Sequence, residues 1–257
     1  RFTDAHSGGF VCVPSRYALL TGRFAARADL QVRNGPVIED GRMTIATLLR
    51  DNGYNTAMVG KWHQGFELTK TGAKSEFDYT EPLRGGPTSR GFESYFGMHA
   101  SLDIPPYFYI RGQSAVMPPT ETIDASTSVG GEEDWTRIQG AFWRAGPIAP
   151  DFKHAEVTPR FTAEAIEVIR SHATSEKSRP LFLDLALPSP HPPWLPTKKF
   201  QRKSGAGMYG DFVLQVDDVV GQVTSALQSA GLADDTLLFF SSDNGPVWYE
   251  KDIERFG

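Results

Sequence analysis

Apolar residues fall at helical spacing in three parts of the chain. In residues 43–52, Ile45, Leu48 and Leu49 share one face, and Asn52-Gly53 closes the segment with a pair suited to a left-handed terminating turn. In residues 157–173, Phe161, Ala165, Ile166, Val168 and Ile169 form an apolar stripe behind Thr158-Pro159. The longest pattern covers residues 209–230, where Phe212, Val213, Val216, Val219, Val220, Val223 and Leu227 make the buried face and Gly231 the stop. Residues 55–59, 181–187 and 236–242 are short, continuous apolar runs bounded by turn residues, the pattern of strands covered on both faces. Strands alternating with helices predict an α/β fold, a mixed, mostly parallel central sheet flanked by helices on both faces.

Residues 67–150 lose this periodicity and fill with Gly, Pro and aromatic residues, which predicts long functional loops rather than a second core. The acidic stretch Gly130-Gly131-Glu132-Glu133-Asp134 reads as solvated, with cation binding the alternative. Asp217-Asp218 lies inside the longest amphipathic segment, where solvated or ion-paired carboxylates are the default. Composition adds bounds. The 257 residues are 40% hydrophobic and 12% aromatic, enough for a full core. With 26 Lys plus Arg against 31 Asp plus Glu, the net charge of −5 argues against a nucleic-acid-coating surface, so any anion site must be local. One cysteine excludes an internal disulfide. No apolar run approaches a membrane span, and no signal peptide is visible.

The candidate chemistry gathers where strands end and one helix begins. Cys12-Val13-Pro14-Ser15-Arg16 reads as a loop delivering a thiol to a helix mouth, with Gly22 ending that helix. Backbone N–H groups there attract negative charge, and Arg16 adds a cation one turn in. A lone cysteine is otherwise a small buried apolar residue. Gly60-Lys61-Trp62-His63-Gln64-Gly65 leaves the carboxyl end of a strand, the edge where open α/β sheets bind ligands. In isolation, Lys61 would be a surface charge and His63 a loop histidine. His191, set among Pro188, Pro190, Pro192 and Pro193 after another strand, is held with a fixed aim. Asp243-Asn244-Gly245 follows the last apolar run and offers two hard oxygen donors, or an ordinary turn. Ser101 and Asp103 can bind a ligand or cap the turn before Pro105-Pro106, while His99, Tyr107 and Tyr109 can line a sugar pocket or pack as loop aromatics.

The run C-x-P-S-R followed by L-L-T-G-R in residues 12–23 resembles the signature of the type I sulfatases of the alkaline-phosphatase-like superfamily. G-K-W-H-x-G in residues 60–65 resembles that family's second signature, with Gln64 where leucine is usual; a side chain pointing away from His63 predicts an effect on packing rather than chemistry. Residues 89–97 resemble the G-F-D/E-x-x-x-G segment, Ser101-Leu102-Asp103 stands where S-H-D is common, and residues 190–194 resemble P-H-x-P-W. S-D-N-G in residues 242–245 is the third specific match.

This resemblance implies a sulfuric ester hydrolase, arylsulfatase-like, acting on an aryl or carbohydrate sulfate. Cys12 would be converted to formylglycine by a maturation enzyme that reads Cys12, Pro14 and Arg16. The hydrated aldehyde would be the nucleophile, forming a covalent sulfo-enzyme. Lys61 and Ser101 would neutralise the sulfuryl oxygens, Asp103 would orient the substrate, His191 would protonate the leaving alcohol and His63 would take the proton that lets sulfate depart. A divalent cation, calcium with magnesium the alternative, would be held by the modified Cys12, Asp243 and Asn244. Secretion or periplasmic export is likewise implied. Two rivals share the pattern, a phosphate or phosphonate ester hydrolase and an inactive sulfated-glycan-binding relative. Residues 1–257 are expected to be a fragment of the catalytic domain, with the first strand, its metal-binding Asp pair, a later lysine and a C-terminal subdomain outside it, and hence with poor metal binding and little turnover by themselves.

Overall fold

A computed structural model describes residues 3–28, 30, 35–71, 74–175 and 178–256. Its helices are α1 (Cys12–Thr21), α2 (Ile45–Asp51), α3 (Val157–Ser175), α4 (Gly207–Ser229) and α5 (Glu250–Phe256). Its strands are β1 (Asn55–Lys61), β2 (Thr69–Thr71), β3 (Lys74–Glu76), β4 (Ser94–Met98), β5 (Ile110–Arg111), β6 (Ser114–Ala115), β7 (Glu121–Ile123), β8 (Gly146–Ile148) and β9 (Leu181–Ala186).

The main sheet runs β6-β5-β4-β1-β9. Its three long strands are parallel, with Val59 opposite Phe96 on one side and Leu185 on the other, and β5 and β6 add a short antiparallel edge. The carboxyl ends of β1, β4 and β9 therefore open at one edge, into the segments carrying Lys61 and His63, Ser101 and Asp103, and His191. Close approach at this edge requires glycine: a Cβ on Gly60 would lie 2.1 Å from the Ala186 carbonyl oxygen, and one on Gly97 would lie 1.9 Å from that of Gly60.

Side chains alternate along β9. Leu181, Leu183, Leu185 and Leu187 pack against Ile169, Val219, Val223 and Leu227 of α3 and α4, while Phe182 stacks on Phe92 across the opposite face. That second face belongs to the larger core, which includes Tyr17 and Leu20 of α1, Ala46 of α2 and Met58 of β1. Burial of such side chains, about 1.5–3 kcal/mol each, holds the layers together. Buried Ser15 donates to the carbonyls of Gly9 and Val11 at 2.8 Å, closing the loop before α1, and Gly22 ends the helix at φ 64°. Tyr17 donates to Glu39 at 2.9 Å, and Arg23 reaches the same carboxylate at 2.9 Å.

Three expectations need correction. Residues 236–242 form no strand: Leu237 is 79% exposed and Phe240 is 74% exposed, and within the described residues β9 is the sheet edge. An apolar sequence favours a strand only when a neighbour supplies the ladder. The loop region of residues 67–150 does contribute to the sheet, because β4 lies beside β1 despite its brevity and its glycine. The acidic stretch is not simply solvated: Glu133 accepts from the Met208 N–H at the start of α4 and pairs with Arg255, while Asp134 pairs with Lys251. Asp218 bonds Lys199 and Gln222, an ion-paired helix carboxylate as expected. Tyr107 and Tyr109 are packed in the core.

Burial pushes the pKa of His99, and that of His154, down to about 4. The unfolded chain binds these protons near pH 6.5, so it takes up more protons than the folded chain between about pH 6.5 and 4. The stability these neutral rings contribute is complete above that window and is lost as pH falls through it, at up to about 1.4 kcal/mol per pH unit for each ring. Urea unfolding of His154→Gln should therefore show a shallower loss between pH 7 and 4 than the parent; parallel curves would contradict this origin.

Candidate active site

Helix α1 sets Cys12 in its first turn and Arg16 one turn later. The Arg16 guanidinium spans two segments: Nε donates to the Asp243 carboxylate at 2.9 Å and Nη1 to the Lys61 carbonyl at 2.9 Å. Asp243 is also fastened through its backbone, since the Ser7 hydroxyl donates to its carbonyl at 2.6 Å. Thus residues 243–244 reach the site although the run before them is not a paired strand.

Lys61 ends β1, is 2% exposed and lies within electrostatic reach of Cys12. Burial lowers its pKa, the Arg16 cation lowers it further, and Cys12 and Asp243 oppose both. His63 follows with a left-handed backbone, φ 55°, an uncommon conformation for a residue with a side chain. Burial first, then Lys61, Arg16, His99 and His191, hold its ring well below the usual imidazole range. Its Nδ1 is buried without a hydrogen-bond partner. A neutral imidazole with a free ring nitrogen beside two cations can accept a proton from a neighbouring hydroxyl.

His191 lies after β9, its N–H donating to the Pro188 carbonyl at 3.1 Å. Its Nδ1 is 2.7 Å from the Pro192 carbonyl, which assigns the proton to Nδ1 and leaves Nε2 available. Burial and Lys61 lower its pKa, while Asp103, the Pro192 carbonyl and Asp243 raise it. The Ser101 hydroxyl lies 3.4 Å from the same Nδ1, and Asp103 Oδ1 lies 3.8 Å from it. The Asp103 carboxylate is paired with Arg144, whose guanidinium also lies over the Phe142 ring, yet its Oδ1 has no hydrogen-bond partner. Arg144, Ser7 and the hydrogen bonding of Gln64 were invisible in the sequence pattern, since they support the site from segments without periodicity. Cys12, Arg16, Lys61, His63, His191 and Asp243 form one connected group, with Ser101 and Asp103 on its His191 side.

Asn244 Oδ1 is buried and unpartnered, which fits a ligand waiting for a hard cation. Among the described residues, no group of three or more His, Cys, Asp or Glu is gathered closely enough to hold a metal. Asp243 and Asn244 therefore offer part of the six to eight oxygens that calcium takes. No helix of the described residues is long and apolar enough to cross a membrane.

The family model named Sulfatase matches residues 1–255. An N-acetylgalactosamine-6-O-sulfatase of Bacteroides thetaiotaomicron is 32% identical over 96% of this chain and 52% of its own length. The N-acetylgalactosamine-6-sulfatase of Rattus norvegicus is 30% identical over 95% of this chain and 43% of its own. The chain thus spans about half the length of these relatives. A solved structure concerned with the metabolism of multiple glycosaminoglycans by Bacteroides thetaiotaomicron (6S-sulf) superposes with a TM-score of 0.76 at 26% identity, covering 97% of this chain and 56% of that one.

Proposed function

We propose that this chain, which belongs to the sulfatase family, is the nucleophile-bearing part of a sulfuric ester hydrolase that removes 6-O-sulfate from an N-acetylgalactosamine-containing glycan. The observation that carries the reading is Arg16, one turn into α1 from Cys12, which bonds at 2.9 Å both to the Asp243 carboxylate and to the Lys61 carbonyl and so gathers the α1 mouth, the end of β1 and residue 243 at one place. The sugar is taken from the two relatives' names; the reaction type rests on the residues.

Once converted to formylglycine, residue 12 would supply a hydrate hydroxyl as nucleophile, and a cation on Asp243 and Asn244 would favour its ionised form and draw charge from the sulfate. The chain's own residues do the rest. Arg16 holds Asp243 toward the site and contributes positive charge beside residue 12. Lys61, buried at the end of β1 within electrostatic reach of Cys12, is placed to neutralise sulfuryl oxygens in the transition state, where a buried cation acts more strongly than in water. His191 presents Nε2 as the proton donor to the departing sugar hydroxyl; an anionic ester entering beside it favours the protonated ring, in the same sense as Asp103 and Asp243. Ser101 and Asp103 steady that ring and the sugar. His63, kept neutral, takes the remaining hydrate proton so that sulfate leaves and the aldehyde returns.

The test compares N-acetylgalactosamine 6-sulfate, an aryl sulfate and an aryl phosphate as substrates for the whole, matured protein. Sulfate release from both sulfates with little phosphate release is expected. A preference for the aryl phosphate would overturn the reaction assigned, and aryl sulfate turnover without the sugar sulfate would overturn the substrate class alone.

A further inference from the structure

We propose that the side-chain amide of Gln64 is a positioning group that holds the left-handed backbone of His63 and ties it to the helix bearing Cys12. This rests on the functional reading above and adds a residue that touches neither substrate nor nucleophile. Gln64 is fully buried, with 0% exposure. Its Nε2 donates to the Val13 carbonyl at 2.9 Å, one residue beyond Cys12, and to the His63 carbonyl at 3.0 Å. A single amide therefore bridges the two segments whose relative placement sets the distance between nucleophile and base.

The surrounding backbone fixes that bridge. His63 N–H donates to the His99 carbonyl at 3.0 Å, and the Gln64 carbonyl accepts from Val37 at 2.7 Å. Gly65 turns the chain at φ 77°, where a Cβ would lie 2.1 Å from the Gly35 carbonyl oxygen. A residue held at positive φ persists because its neighbours over-determine it, and the Gln64 amide is the side-chain contributor at the His63 carbonyl. The Gln64 Oε1 is buried without a partner, a penalty that an apolar residue of the same size would not carry. Stability alone does not favour glutamine here; alignment of His63 with α1 does. Sequence reading gave this position a packing role, and the structure adds a polar one.

The test uses the whole, matured protein and an aryl sulfate, with Gln64→Met as a shape-matched variant lacking the amide. The expected result is a fall in kcat of about 10- to 100-fold, the scale of a small misplacement of a reacting group, with KM and the thermal midpoint near parental values. Because His63 is assigned to sulfate release, a burst of aryl alcohol should precede the slowed steady state. Gln64→Glu supplies a second variant should the first fail to fold: its carboxylate faces two carbonyl oxygens, so its kcat should decline as pH rises and recover as the acid form returns. Parental kcat in Gln64→Met, or a Gln64→Glu pH profile that tracks the parent, would overturn the proposal. His63→Ala separates this from the parent reading: a crippled His63→Ala beside unaffected Gln64 variants removes only the positioning role, whereas an active His63→Ala removes the assigned chemistry of His63 itself.

Discussion

Cys12→Ala is expected to abolish sulfate release, with a loss of about 10⁴-fold or more in kcat, the range seen when a covalent nucleophile is removed. The expectation comes from position. Cys12 is the residue at the α1 mouth, one turn from Arg16 and within electrostatic reach of the buried Lys61 ammonium. Its removal leaves Arg16, Lys61 and His63 in place, so folding should be retained, and circular dichroism together with a release assay would separate loss of chemistry from loss of structure. Retention of more than a small fraction of the parental rate would mean that another group attacks sulfur.

Lys61→Met is expected to lower kcat/KM by about 10²- to 10³-fold, the cost of one preorganised group that neutralises developing charge. A second readout accompanies the loss. Lys61 is one of the cations that hold the His63 pKa down, after burial. Removing it should raise that pKa, so the acidic limb of the kcat profile should move to higher pH. An unshifted limb would mean that His63 is not the base that the profile reports. Methionine retains most of the buried volume while removing the charge, so the variant should be no less stable than the parent.

Two scaffold helices, α3 and α4, and two of the three strands that lead into the site, β1 and β9, were legible from apolar spacing. The patterns in residues 157–173 and 209–230 correspond to α3 and α4, and the short runs after Asn55 and Pro180 correspond to β1 and β9. These elements are patterned because each buries an apolar stripe or both faces against a neighbour, although Val213, on the expected inner face of α4, is 39% exposed. The strand β4 was not legible: five residues with a glycine carry too little periodicity, and its place beside β1 is set by tertiary contact. Residues 236–242 failed in the opposite sense, with the pattern of a strand and no ladder among the described residues. The candidate site positions were read from motif spacing, and the structure brings Cys12, Arg16, Lys61, His63, His191 and Asp243 near one another. The second layer was not legible. Arg144 on Asp103, Ser7 on the Asp243 backbone and Gln64 on Val13 join segments distant in the chain, and no local pattern encodes such pairs.

In the proposed reaction residue 12, oxidised to an aldehyde, performs the attack on sulfur. Peptide mass analysis of the segment containing Cys12, made alongside rate measurements on preparations matured to different extents, tests it most directly. Active preparations should carry an aldehyde at residue 12, with a rate proportional to the fraction converted. Full sulfate turnover by protein carrying only the unmodified thiol at Cys12 would contradict it.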